Sequence, residues 1–149
     1  PISALPARLV AGVAGGLIGG VAFGGLMQAW GMLPMVAMLL RSESTAVGWA
    51  VHLFNSALFG LLFALIAGRW ATTPARAVIL GLAYGALWWV LGALLIMPTW
   101  LGMNEMIFQL NEGAVRSLWG HLLFGLLLGV VYGWGQRIVS DRKRTIAAP

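Results

Sequence analysis

The chain has no cysteine, four acids and little charge of any kind. Without thiols there is no disulfide, no thiolate metal site, no cysteine nucleophile and no cysteine-held iron–sulfur cluster, so a metal or haem must use other ligands. The four carboxylates are Glu43, Glu105, Glu112 and Asp141, and none falls deep within an apolar run. That argues against a proton-coupled pump, and no histidine, serine and acid stand at a spacing suited to hydrolysis. No catalytic activity of the chain's own is therefore expected. Charged residues make up 9% of the chain, against about 25% in ordinary domains. Hydrophobic residues fill their place, at 60% of the total with a mean hydropathy of +0.91. Such a chain is too apolar to be soluble alone, and the lipid bilayer is its first expected partner.

Four apolar stretches, 9–30, 46–68, 77–97 and about 115–135, meet the roughly 20-residue requirement for a helix that crosses a bilayer. The expected fold is all-α, a four-helix bundle in the membrane, as one domain over 1–149. The first stretch follows Arg8 and invites comparison with a signal peptide, but its core exceeds the usual 7–15 apolar residues. It reads as a mature helix, and a start at Pro1 fits removal of an initiator methionine.

Arg8, Arg69, Arg76, Arg137, Arg142, Lys143 and Arg144 fall before the first stretch, in the second loop or on the tail. Only Arg41 and Arg116 occupy the first and third connections. The positive-inside rule then places both termini in the cytoplasm, with a prokaryotic inner or cytoplasmic membrane as the expected location. Residues 138–149 read as a basic cytoplasmic tail resting on anionic lipid. Because the basic residues cluster at helix ends and not on one soluble face, nucleic acid is not an expected partner.

The chain also reads as two tandem two-helix repeats, about 9–70 and 77–137. Gly12, Ala14 and Gly16 correspond to Gly81, Ala83 and Gly85 at an offset of 69 residues, and His52 corresponds to His121 at the same offset. Each half contains two spans, so the halves would share one orientation about an axis along the membrane normal. The connections 32–40 and 103–110 are apolar enough to lie in the interface as short helices, with Pro34 tolerated in a first turn. The short polar loop 71–76 makes the second and third helices expected neighbours.

Lipid supplies no hydrophobic force between helices, so close packing must hold them. Gly12, Gly16, Gly20 and Gly24 form a small-residue ridge on the first helix, and Gly125, Gly129 and Gly133 repeat it on the fourth. His121 precedes Gly125 by four residues, and His52, Ser56 and Gly60 follow at successive fours, so both histidines fall on small-residue faces. The glycines serve packing or make room for a flat cofactor. Phe63 and Tyr132, each eleven residues past a histidine, continue those faces.

Ionisable groups inside a membrane are costly, which makes His52 and His121 the candidate site. Each lies about six residues in from its helix end, about 9 Å at the helical rise. All seven methionines gather toward the same side. Thioethers and imidazoles without thiolate suit Cu(I), with His52, His121, Met32, Met35, Met38, Met103 and Met106 as the candidate ligands. Methionine is also an adaptable apolar residue, and Trp30, Trp49, Trp100 and Trp119 form an interfacial belt with no further role required. Haem b or another pigment is the rival use of His52 and His121. Hydrogen bonding of each imidazole to Asn55, Ser56 or a backbone carbonyl is the structural alternative, and proton or quinone chemistry is a further one.

The run Gly31-Met-Leu-Pro-Met35, then Val47-Gly-Trp-Ala-Val-His52-Leu, with the later Gly120-His-Leu-Leu-Phe-Gly125, resembles small glycine-rich four-span membrane proteins of unknown function from bacteria and archaea. The resemblance implies the duplicated four-span architecture and brings no activity. The leading expectation is a small non-catalytic subunit or cofactor-holding module of a larger membrane complex, in respiratory or photosynthetic electron transfer, with other membrane subunits or further copies of itself as partners. The alternative is a copper-handling or small-solute membrane protein that uses the histidine and methionine cluster.

Overall fold

The computed structural model describes residues 5–147, and all regular structure among them is helical. The elements are α1 (Leu5–Ala29), α2 (Leu33–Ala37), α3 (Thr45–Ile66), α4 (Pro74–Trp88), α5 (Met97–Trp100) and α6 (Glu112–Ala147). A π-helical segment, Trp89–Ile96, joins α4 to α5 and makes one continuous third span, Pro74–Trp100. Four helices are thus long and apolar enough to cross a membrane, which suggests an integral membrane protein in lipid. The ends of the helices follow local chemistry. Ser44 caps α3 by accepting from the Val47 N–H at 3.4 Å, and Thr73 caps α4 by accepting from the Arg76 N–H at 3.2 Å. Pro74 and Pro34 stand in the first turns of α4 and α2, where a missing N–H costs nothing.

The π segment has a local cause. Pro98 has no N–H for the carbonyl of Leu94, four residues earlier, and its ring crowds that oxygen. The freed Leu94 carbonyl accepts instead from the Phe108 N–H at 2.9 Å, and the Met97 N–H bonds back five residues to Gly92.

Three pairs of membrane-length helices bring backbones together among the described residues: α1 with α3, α6 with the third span through α4, and α1 with α6. In the first pair a Cβ on Gly12 would run into the Gly60 carbonyl, one on Gly60 would run into the Gly12 carbonyl, and one on Gly16 would meet the Ser56 carbonyl. Gly20 faces the Ser56 side chain, and Gly24 faces the ring of Trp49. In the second pair Gly81 and Gly125 stand in the same reciprocal relation, Gly85 faces the His121 carbonyl, Gly129 faces the Ala77 carbonyl, and Gly133 faces Pro74. Gly15 and Gly19 lie against Leu128 and Phe124 between α1 and α6. Phe63, Leu128 and Tyr132 are fully buried where these contacts converge.

The second and third spans, joined by the short loop, meet differently from what closeness in sequence predicts. Their contact is carried by side chains: Phe59 on Trp88 with ring centroids 4.3 Å apart, Phe63 on Tyr84 at 5.3 Å, and the Tyr84 hydroxyl donating to the Phe59 carbonyl at 2.7 Å. These bulky groups hold the two helix axes apart.

The two long connections are not alike. Residues 32–40 form the expected short helix, α2 followed by a 3₁₀ turn Met38–Leu40, with Leu33 and Ala37 buried against α3. Residues 103–110 contain only the 3₁₀ turn Asn104–Met106, not the expected interfacial helix. Gly102 (φ +71°) and Phe108 (φ 55°) turn the chain through left-handed conformations there, and the Phe108 N–H is drawn to Leu94. The basic tail continues α6 as helix to Ala147, with residues 141–147 exposed.

A leucine at Gly16 or Gly125 would have to push the facing backbones apart, and overpacking of this kind typically costs about 1–3 kcal/mol. Gly16→Leu and Gly125→Leu are therefore expected to lower the unfolding midpoint of detergent-solubilised protein. Gly25→Leu, where a Cβ meets nothing within 4 Å, is expected to leave it unchanged. Equal midpoints for all three variants would refute this account of the helix contacts.

Candidate functional site

Because aromatic side chains hold α3 and the third span apart, a cavity of about 910 Å³ opens between them toward the end carrying the long connections. Phe59 and Trp88 form its floor, and the connection around Met32 and Val36 forms its roof. The Trp100 indole N–H donates to the Leu39 carbonyl at 3.1 Å and ties the end of the third span to that roof. Phe23 of α1, His52 and Ser56 of α3, and Ser117, His121 and Phe124 of α6 supply the inner wall. Phe54, Ile96 and Leu40 line the rim and are exposed on the bundle's flank, so the opening faces sideways, where lipid would lie. A Cβ at Gly92, on the π segment, would project into open space.

The histidines meet on one ring. Phe23 contacts His52 edge-on at 5.2 Å between centroids and His121 at 4.9 Å. Each imidazole is fixed by a backbone carbonyl. His52 Nε2 lies 2.8 Å from the Gly20 oxygen across the contact with α1, and His121 Nδ1 lies 2.8 Å from the Ser117 oxygen one turn back on its own helix. A carbonyl only accepts, so these nitrogens carry the protons. His52 Nδ1 and His121 Nε2 have no hydrogen-bond partner among the described residues and are the atoms available to a ligand.

The histidines match at an offset of 69 in sequence but not in the helix contacts. Gly12 pairs with Gly60, 48 residues on, whereas Gly81 pairs with Gly125, 44 residues on. In this register His121 takes the place of Ser56, and Ser117 takes the place of His52. The hydrogen bonds agree: the Ser56 hydroxyl donates to the His52 carbonyl at 2.7 Å, as His121 Nδ1 does to the Ser117 carbonyl. One hairpin thus carries His-x-x-x-Ser and the other Ser-x-x-x-His at the same packing positions. The one-turn difference goes with the shorter connection before α6.

The methionines divide. Met32 and Met35 line the cavity with the histidines, as do Met27 and Met97, whereas Met38, Met103 and Met106 do not. No group of three or more histidine, aspartate or glutamate side chains able to hold a metal occurs among the described residues. Asn55 lines the cavity beside Ser56 and hydrogen bonds to neither imidazole.

Sequence reasoning missed three features of the fold, of which the first two shape the site. Phe23 reads as an ordinary apolar residue in a glycine-rich helix. The π segment is announced only by Pro98 behind an uninterrupted apolar run. Arg8, read as a marker of orientation, reaches into the bundle, where its guanidinium donates to the Ala64 carbonyl at 2.9 Å and to the Tyr132 hydroxyl at 3.3 Å. Comparison of the chain with protein-family models, with curated proteins and with solved structures gives no match.

Proposed function

We propose that this chain is a small, non-catalytic membrane module that holds an apolar cofactor or amphiphile in its lateral cavity, as a subunit of a larger membrane assembly or as a homo-oligomer. One observation carries the reading. A cavity of about 910 Å³, within the roughly 300–1,000 Å³ usual for small-molecule sites, opens on the flank of an apolar bundle and ends at two imidazoles. A haem or pigment would find its ligand atoms in His52 Nδ1 or His121 Nε2, each oriented by the carbonyl behind it. Electron transfer is the setting in which such a module is most useful, because a bound redox group needs only a dry, fixed cradle.

The duplicated architecture belongs to the same reading. Reciprocal glycine contacts in both helix pairs and paired serine and histidine side chains on α3 and α6 support two tandem two-helix repeats. Their second helices are offset by one turn. The charge distribution supports both termini on the cytoplasmic side of a prokaryotic membrane, with the basic end of α6 near anionic lipid. Labels introduced in the loop at Thr72 and in the connection at Glu105 would then be accessible from opposite sides of intact cells, Glu105 from outside. The reverse accessibility would overturn this orientation.

A second reading is favoured by one specific observation: Met27, Met32, Met35 and Met97 surround the same cavity as both histidines. Four thioethers and two imidazoles without a carboxylate suit Cu(I).

Gently solubilised protein should release, on solvent extraction, a stoichiometric apolar molecule detectable by mass spectrometry, with a visible band if it is haem or pigment. Gly92→Phe fills open space without touching a helix contact, so it should abolish the bound molecule and leave the melting midpoint unchanged. A wild-type sample with nothing bound would overturn the cavity reading. Stoichiometric copper, lost in Met32→Leu/Met35→Leu, would select the second.

A further inference from the structure

Resting on the reading of the cavity as a binding site, we propose that its inner end selects hydrogen-bond donors, and that its occupant is a membrane-dissolved phenol or hydroquinone, held in preference to the corresponding quinone. The argument begins with the two carbonyls. Gly20 and Ser117 each take the proton-bearing nitrogen of one imidazole, at 2.8 Å in both cases. No carboxylate lines the cavity to pair with an imidazolium, and an unpaired charge in so apolar a wall is costly, so the rings are neutral. The nitrogen left to each ring is then a bare lone pair. Ser56 reinforces the pattern, because its hydroxyl proton is committed to the His52 carbonyl. At both imidazoles the inner wall therefore offers acceptors.

A quinone oxygen also only accepts, and against this wall it would leave buried lone pairs facing one another. A hydroquinone hydroxyl donates to an imidazole nitrogen and satisfies both groups. Asn55, the Ser117 hydroxyl and the Trp88 indole N–H, which has no partner among the described residues, belong to lining residues and can donate to the oxygen of such a hydroxyl, but they leave the two imidazole lone pairs still in need of a donor, which a quinone lacks. The remaining walls suit a flat ring. Phe23, Phe59 and Trp88 present aromatic faces and edges, and Gly92 leaves the opposite side open. The sideways opening admits a molecule that carries its tail in lipid.

The test uses the full chain in detergent under anaerobic conditions, with decyl-benzohydroquinone and decyl-benzoquinone as probes in calorimetric titrations. Sites built around hydrogen bonds reject partners that lack them, so the hydroquinone is expected to bind at least about tenfold more tightly. His52→Phe and His121→Phe, each checked for an unchanged melting midpoint, should narrow that ratio, and Gly92→Phe should abolish binding of both forms. The wild-type comparison requires no variant to fold. Equal affinity, or tighter binding of the quinone, would overturn the donor preference and leave the cavity as a binding site. Undiminished binding to Gly92→Phe would place the probes elsewhere and overturn the preference as well. Binding of Ag⁺ without either organic probe would replace this occupant by a soft cation. If neither probe binds, the preference falls, and the extraction result decides the cavity reading on its own.

Discussion

Backbone carbonyls that accept from side chains organise this bundle. In an apolar surrounding each unsatisfied polar group costs several kcal/mol, so side-chain donors seek whatever oxygen the helices leave within reach. Gly20 and Ser117 accept from the imidazoles, Phe59 from Tyr84, Ala64 from Arg8, Ala71 from Gln136, Leu39 from Trp100 and Ala114 from Trp89. Several of these bonds join different helices, and they fix directions that apolar packing alone would leave free. The tautomers of the histidines, and with them the chemistry of the cavity, follow from this one kind of bond.

The cavity results from two kinds of helix contact in one bundle. Where glycines face one another, as in α1 with α3 and α4 with α6, backbones touch and no space remains. Where Phe59, Phe63, Tyr84 and Trp88 intervene, the second and third spans stand apart, and the gap widens past the last aromatic pair. The π segment lies along that gap, so Pro98 acts at a distance of one to two turns on the wall of the cavity.

The four spans were legible because length and hydropathy are local properties of the chain. The short helix 32–40 was legible from its apolar residues and Pro34. The irregular connection 103–110 was not, because its shape depends on a carbonyl that Pro98 frees ten residues earlier. The prominence of His52 and His121 was evident from their cost in lipid, but the matching of the two at 69 residues concealed their different packing registers. A one-turn slide leaves every glycine on its face and so leaves no mark in a pattern of fours. Phe23 was invisible as a site residue, since only the folded arrangement brings an α1 side chain between groups from α3 and α6.

That phenyl ring gives the two histidines a shared mechanical neighbour. His52 and His121 belong to different helices and bond to different carbonyls, yet each rests an edge or face on Phe23. A rotation of Phe23 that makes room beside one imidazole removes the support of the other. The pair is thus sensed as a unit: nuclei on either ring would register an event at its counterpart through the ring current of the phenyl group, with no bond joining them.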